Sequence, residues 1–183
     1  QSGGTVQLAS QIRVGPSSGA GTGTLRIQDG GEVIAGDGLL LRPLTGGSLD
    51  LQGGTLRVID GALLLGGLTP LTLSSATGTP ELWLSNGLLT TQTAPLSTQP
   101  ALVVGASGAG RLRVSESGTR FGIATGPLVA GRGAGSNGTL LTDSLGVIEV
   151  LGPVTLGDSG AAAARVTAGG VLKTAALQLG VSS

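Results

Sequence analysis

The sequence predicts an all-β protein, a single-stranded parallel β-helix (β-solenoid) of about six coils with three short strands per coil. Three observations predict it. A short apolar phrase returns at intervals of 24 to 31 residues along the 183-residue chain. The 39% hydrophobic content is almost wholly Leu, Val, Ile and Ala, with one Trp, one Phe and no Tyr, which suits stacking of equivalent small shapes better than irregular packing. Gly, Ser, Asn and Asp fall between the apolar runs, where tight turns need them.

The phrase reads Thr24-Leu-Arg-Ile-Gln-Asp-Gly30, Thr55-Leu-Arg-Val-Ile-Asp-Gly61, Glu81-Leu-Trp-Leu-Ser-Asn-Gly87, Arg111-Leu-Arg-Val-Ser-Glu-Ser-Gly118, Thr139-Leu-Leu-Thr-Asp-Ser-Leu-Gly146 and Ala163-Ala-Arg-Val-Thr-Ala-Gly169. A second apolar run precedes it at Ile12–Gly15, Leu102–Gly105, Leu128–Gly131 and Val154–Gly157. A third follows at Glu32–Ala35, Ala62–Leu65, Val147–Val150 and Val171–Thr174. Three strands per repeat give a roughly triangular cross-section. No segment holds a 3.6-residue apolar period for ten residues, and each Gly would cost a helix about 1 kcal/mol.

Alternation along a strand places Leu25, Leu56, Leu82, Leu112, Leu140 and Ala164 in one inward column, and Ile27, Val58, Leu84, Val114, Thr142 and Val166 in the next. Residues 66–100 are the least regular, and Pro70, Pro80, Pro95 and Pro100 are expected at corners or loops because Pro removes a ladder donor. The phrase at Glu81 continues the period, so residues 1–183 form a single domain.

Composition narrows function. Thirty-six Gly without a G-X-Y period exclude collagen. Ten basic and ten acidic residues cancel and are scattered, which gives no basis for nucleic-acid or anionic-membrane binding. Without Cys there is neither disulfide nor thiol chemistry. No run reaches the roughly 18 apolar residues of a membrane helix, and two aromatics do not make the girdles of an outer-membrane barrel, so direct membrane insertion is not expected. A start at Gln1 without Met points to a processed or excised piece.

The pattern V-G-x-x-G-x-G-x-L-x-V-x-x-G-G, in Val14 to Gly31 and again in Val104 to Gly118, resembles the repeat of bacterial type V autotransporter passengers and of PEP-CTERM-associated surface proteins. The resemblance covers nearly the whole chain, most closely residues 12–41 and 101–180. It implies a β-helix outside a Gram-negative cell, acting as an adhesin or a stalk. The family's C-terminal translocator barrel is lacking, so membrane anchoring is not carried over.

Several short motifs are candidate sites. Ala101-Leu-Val-Val-Gly-Ala-Ser-Gly-Ala-Gly110 has the look of a dinucleotide-binding glycine loop, but a strand, Arg111–Val114, follows where a helix would have to begin, and similar phrases recur after Gly15 and Gly131. A repeat turn is the expected reading. Asp29, Asp60 and Asn86 share one phrase position before Gly; as a pair, carboxylates there would have glycosidase-like spacing, whereas Asp and Asn before Gly ordinarily cap a turn. His and Cys are absent, the Asp-rich nonapeptide of calcium β-rolls is missing, and no catalytic residue, cofactor or metal is assigned. Phe121 is expected in the core or a corner, and the Asn137-Gly-Thr139 sequon is read as chance.

The outward column is the candidate binding feature: Arg26, Arg57, Trp83, Arg113 and Arg165 hold the third phrase position, interrupted by Leu141. In-order stacking places Trp83 between Arg57 and Arg113, within reach of cation–π contact. Such a ladder either binds an anionic glycan or a protein partner, or is a solvated face whose long stems cover apolar surface. The expected function is non-catalytic surface display. The alternative is a filament subunit that stacks end to end on copies of itself, since Thr5–Leu8 and Leu177–Gly180 are ordinary strands and not caps. A glycan-active β-helix ranks third.

Overall fold

The computed structural model describes residues 3–16, 21–28, 30–41, 47–65, 70–93 and 98–180. It is all-β, a parallel β-solenoid of about six turns. In chain order the strands are β1 (Thr5–Leu8), β2 (Ile12–Val14), β3 (Gly23–Gln28), β4 (Glu32–Ala35), β5 (Gly38–Leu41), β6 (Gly47–Gln52), β7 (Thr55–Ile59), β8 (Ala62–Leu65), β9 (Leu71–Leu73), β10 (Glu81–Ser85), β11 (Leu89–Thr93), β12 (Leu102–Val104), β13 (Ala109–Ser115), β14 (Arg120–Thr125), β15 (Leu128–Ala130), β16 (Asn137–Asp143), β17 (Val147–Leu156), β18 (Ala161–Val166) and β19 (Val171–Leu179).

The first face is one parallel sheet in the order β1-β4-β7-β10-β13-β16-β18. Thr5, Glu32, Thr55, Glu81, Arg111, Thr139 and Ala163 lie in line across it, each 23 to 30 residues after the last. At about 4.8 Å per strand, seven strands span roughly 29 Å. The second face carries β2-β5-β8, then β11, β14 and the starts of β17 and β19. The third carries β3-β6, then β9, β12, β15 and the ends of β17 and β19. Strand β17 runs through a corner, with its register shifting between Val150 and Pro153 where Pro withholds a donor. Pro70, Pro80 and Pro100 sit just outside strands, as expected, and Pro95 lies outside the described residues.

Parallel stacking buries equivalent side chains on one another. Leu56, Leu82, Leu112 and Leu140 form one inward column and Val58, Leu84 and Val114 the next, all with at most 1% exposure. A fully buried Leu is worth about 1.5–3 kcal/mol, and one coil cannot supply that burial alone. The outermost coils show the consequence: Val6, Leu8, Val166, Leu177 and Leu179 are exposed. Phe121 is fully buried in β14 between Thr90 and Ile148. Thr142, in line between Val114 and Val166, has a buried hydroxyl that finds no partner. Thr142→Val, which removes that hydroxyl at nearly constant shape, is expected to raise unfolding free energy by about 1 kcal/mol in urea titration.

The first repeat differs from the sequence expectation. The phrase at Thr24 is on the third face, not the first: Leu25 pairs with Leu49, Arg26 with Asp50 and Ile27 with Leu51. Val33 and Ala35 take the places expected for Leu25 and Ile27 beside Leu56 and Val58. All three faces are written in the same alternation, so a phrase identifies a strand without identifying its face. The double glycine was the available signal. Gln28 and Gln52 are register partners, and Gly30-Gly31 and Gly53-Gly54 then make the same corner onto the first face. Gly31 and Gly54 occupy equivalent places, their carbonyls accepting from the Thr55 and Glu81 amides at 2.9 and 3.0 Å.

Candidate functional site

The outward side of the first face holds the candidate ladder. Alternation on β7, β10 and β13 turns Leu and Val inward and leaves Arg57, Trp83 and Arg113 on the outside, in register with one another. Leu141 and Arg165 continue the column on β16 and β18. Arg26 does not belong to it. With the rest of β3 it lies on the third face, where it pairs with Asp50 at 2.8 Å, and Ile34 stands in its place next to Arg57.

Both faces of the Trp83 ring are covered. The Arg57 guanidinium sits 4.0 Å from the ring centroid on one side and that of Arg113 4.2 Å on the other. Each of the three side chains also reaches one coil onward to the residue two places further along the neighbouring strand. Arg57 Nε donates to Ser85 Oγ at 3.2 Å, Trp83 Nε1 to Ser115 Oγ at 2.6 Å and Arg113 Nε to Asp143 Oδ2 at 3.1 Å. Glu116 ties three coils together: one carboxylate oxygen accepts from the Asn86 amide at 3.0 Å and the other lies 3.5 Å from Arg57 Nη2.

These partners were missed in the sequence. Ser85, Ser115 and Asp143 each lie two positions after a column member and share its outward face, a signal the sequence carries; Glu116, at the corner after β13, has no such signal. Their effect is electrostatic closure. Arg57 pairs with Glu116, Arg113 with Asp143 and Arg111 with Glu81, so six charges sum to zero. Arg57 and Arg113 are 25% and 31% exposed, which makes each pair worth at most about 1 kcal/mol. An anionic ligand would have to displace a carboxylate already in place, and a sugar ring has no free indole face on which to stack. Among the described residues Arg165, at the end of the column, has no ion-pair partner.

The other candidates resolve into turns. Asp60 and Asn86 adopt φ of 62° and 60° at the corner between the first and second faces, the left-handed region that Asp and Asn tolerate. The Gly61 amide donates to Asp60 Oδ1 at 2.8 Å, a side chain capping its own turn. Asp29 lies outside the described residues. In the glycine-rich run, β12 leads through a corner directly into β13. The amides of Ala106, Ser107 and Gly108 converge at 3.1 Å on Ser74 Oγ from the preceding coil, so the protein's own hydroxyl takes the place a phosphate oxygen would need. Among the described residues no three Asp or Glu side chains converge as a metal site would require. The chain matches no family model, no curated protein and no solved structure.

Proposed function

We propose that this chain is a non-catalytic β-solenoid module displayed outside a Gram-negative cell, a passenger-like rigid stalk whose Arg–Trp–Arg ladder braces the rod and does not bind a ligand. The observation that carries this reading is the closure of the ladder: both indole faces are stacked and the surrounding charges cancel in pairs. The repeat resemblance supplies the surface location, and one unbroken seven-stranded sheet suits a spacer that must resist bending. Two measurements test it. Antibody to the solenoid is expected to label intact cells producing the full-length protein; labelling only after permeabilisation refutes display. In a screen of anionic polysaccharides, wild type and Arg57→Ala/Arg113→Ala are expected to bind equally poorly. Binding by wild type that the double variant loses would turn the brace into a recognition surface.

A second reading, an extracellular filament built by end-to-end stacking, is favoured by one observation. Among the described residues, five of the seven large exposed hydrophobic side chains lie on the outermost coils, namely Val6, Leu8, Val166, Leu177 and Leu179. Electron microscopy of the purified chain separates the two. Dispersed short rods contradict the filament, and long fibres contradict a merely displayed segment.

A further inference from the structure

We propose that Asn86-Gly87, on the corner between β10 and β11, is a deamidation site that the next coil guards: it keeps its amide while the coils are stacked and converts to aspartate and isoaspartate when that corner opens. The chain has two asparagines, Asn86 and Asn137, and Gly follows each. Asn is a thermolabile side chain, and a following Gly presents its amide nitrogen without a Cβ to block approach. This chemistry is independent of the stalk reading.

The reaction needs only water. The Gly87 nitrogen gives up its proton and attacks Asn86 Cγ; a new C–N bond closes a succinimide ring, the bond from Cγ to the side-chain nitrogen breaks, and that nitrogen leaves as ammonia with the proton. Water then opens the ring at either carbonyl. One opening gives aspartate; the other gives isoaspartate, whose main chain is longer by the side-chain methylene.

Both residues are exposed to that water, and a methyl group at Gly87 would meet nothing within 4 Å. What resists ring closure is a pair of tethers from the next coil. The Asn86 amide donates to Glu116 Oε2 at 3.0 Å and the Gly87 amide to Thr119 Oγ1 at 3.0 Å, with Thr119 only 1% exposed. Together they fix the peptide planes on either side of Asn86, at φ 60° there and 80° at Gly87. Attack requires the second plane to turn its nitrogen toward Cγ and the proton held by Thr119 to leave, so the Thr119 bond must break first. One coil earlier the Gly61 amide is taken by the side chain of Asp60 itself. The left-handed corner therefore does not supply such an acceptor; Thr119 does.

Asn137 is the internal control. It opens β16, a strand paired on both sides, and Gly138 after it is buried between Gly110 and Ala162, so that nitrogen is reached only if the sheet parts. Conversion at Asn86 also bears on the ladder. The added methylene of isoaspartate shifts residue 86 against Glu116, the group that ties this corner to Arg57.

Peptide mapping by mass spectrometry, after incubation of the full chain at mildly alkaline pH, tests the proposal. In urea both asparagines are expected to convert at similar rates, and folding is expected to slow Asn86 at least about tenfold. Thr119→Val, which keeps the shape and loses the acceptor, is expected to speed Asn86 in the folded chain about fivefold, with Thr119→Ser near wild type and Asn137 unchanged. Glu116→Gly, which suits φ 76° and removes the other tether at an exposed site, is expected to act in the same direction. A folded rate at Asn86 equal to the rate in urea overturns the proposal, as does a rate that neither Thr119→Val nor Glu116→Gly raises. Parallel increases at Asn86 and Asn137 report general loosening of the rod and overturn it as well.

Discussion

Trp83→Ala is expected to lower the unfolding free energy by about 2–4 kcal/mol, a large share of the 5–15 kcal/mol that holds a typical domain. The loss has four sources. Two cation–π contacts go, each worth about 0.5–1 kcal/mol at this half-exposed site. The hydrogen bond to Ser115 goes too, at about 1 kcal/mol, and Ser115 is 2% exposed, so its hydroxyl is left without water. The buried part of the indole leaves a gap. Finally, Arg57 and Arg113 face each other across that gap, two like charges with nothing between them. Trp83→Phe separates these sources, because it keeps an aromatic face for both guanidiniums and loses only the Nε1 donor; about half the destabilisation is expected. Urea unfolding followed by circular dichroism measures both variants. Added salt should restore part of the stability of Trp83→Ala, since it screens the new Arg–Arg repulsion. A loss below about 0.5 kcal/mol would place the ladder among ordinary surface contacts and remove the brace from the functional reading.

Gly138→Ala is expected to cost about 3 kcal/mol or more, although it adds a single methyl group. Gly138 is an inward residue at the start of β16, in line between Gly110 and Ala162. A Cβ there would lie 2.2 Å from the Val104 carbonyl oxygen and 2.5 Å from the Gly131 amide nitrogen. Those two atoms are hydrogen-bonded to each other at 2.9 Å, linking adjacent coils. The methyl can be accommodated only by separating them, which adds a lost inter-coil bond to the overpacking. Gly135→Ala is the control. Gly135 has φ 76° with nothing within 4 Å of the place a methyl would take, so it should lose only the left-handed penalty of about 1 kcal/mol. Equal losses in thermal unfolding would show that close approach is not what reserves position 138 for glycine.

Much of the architecture is legible without coordinates because a solenoid repeats its instructions. The Leu56–Leu140 and Val58–Val114 columns follow from alternation and spacing alone, and so does the placement of Trp83 between Arg57 and Arg113. The glycine-rich run after Ala101 reads as a turn because a strand follows it, and the corner found there agrees. The ladder's chemistry is less legible. Whether three arginines offer free charge or are already neutralised depends on Glu116, Asp143 and Glu81, and Glu116 reaches back two coils to Arg57.

What the sequence by itself determined is the period of the coil, which side chains of each strand point inward, and the order of the central ladder. These depend on neighbours two residues apart and on recurrence along the chain. Only the tertiary structure decided which face the first repeat occupies, and with it that Arg26 meets Asp50 and not Arg57. The same holds for the pairing that leaves the ladder neutral. The physical reason is a rotational degeneracy: strands on all three faces bury alternate aliphatics equally well, so local pattern cannot distinguish them. Backbone hydrogen bonds to the next coil, more than twenty residues away, choose among the faces, and they form only when the coils stack.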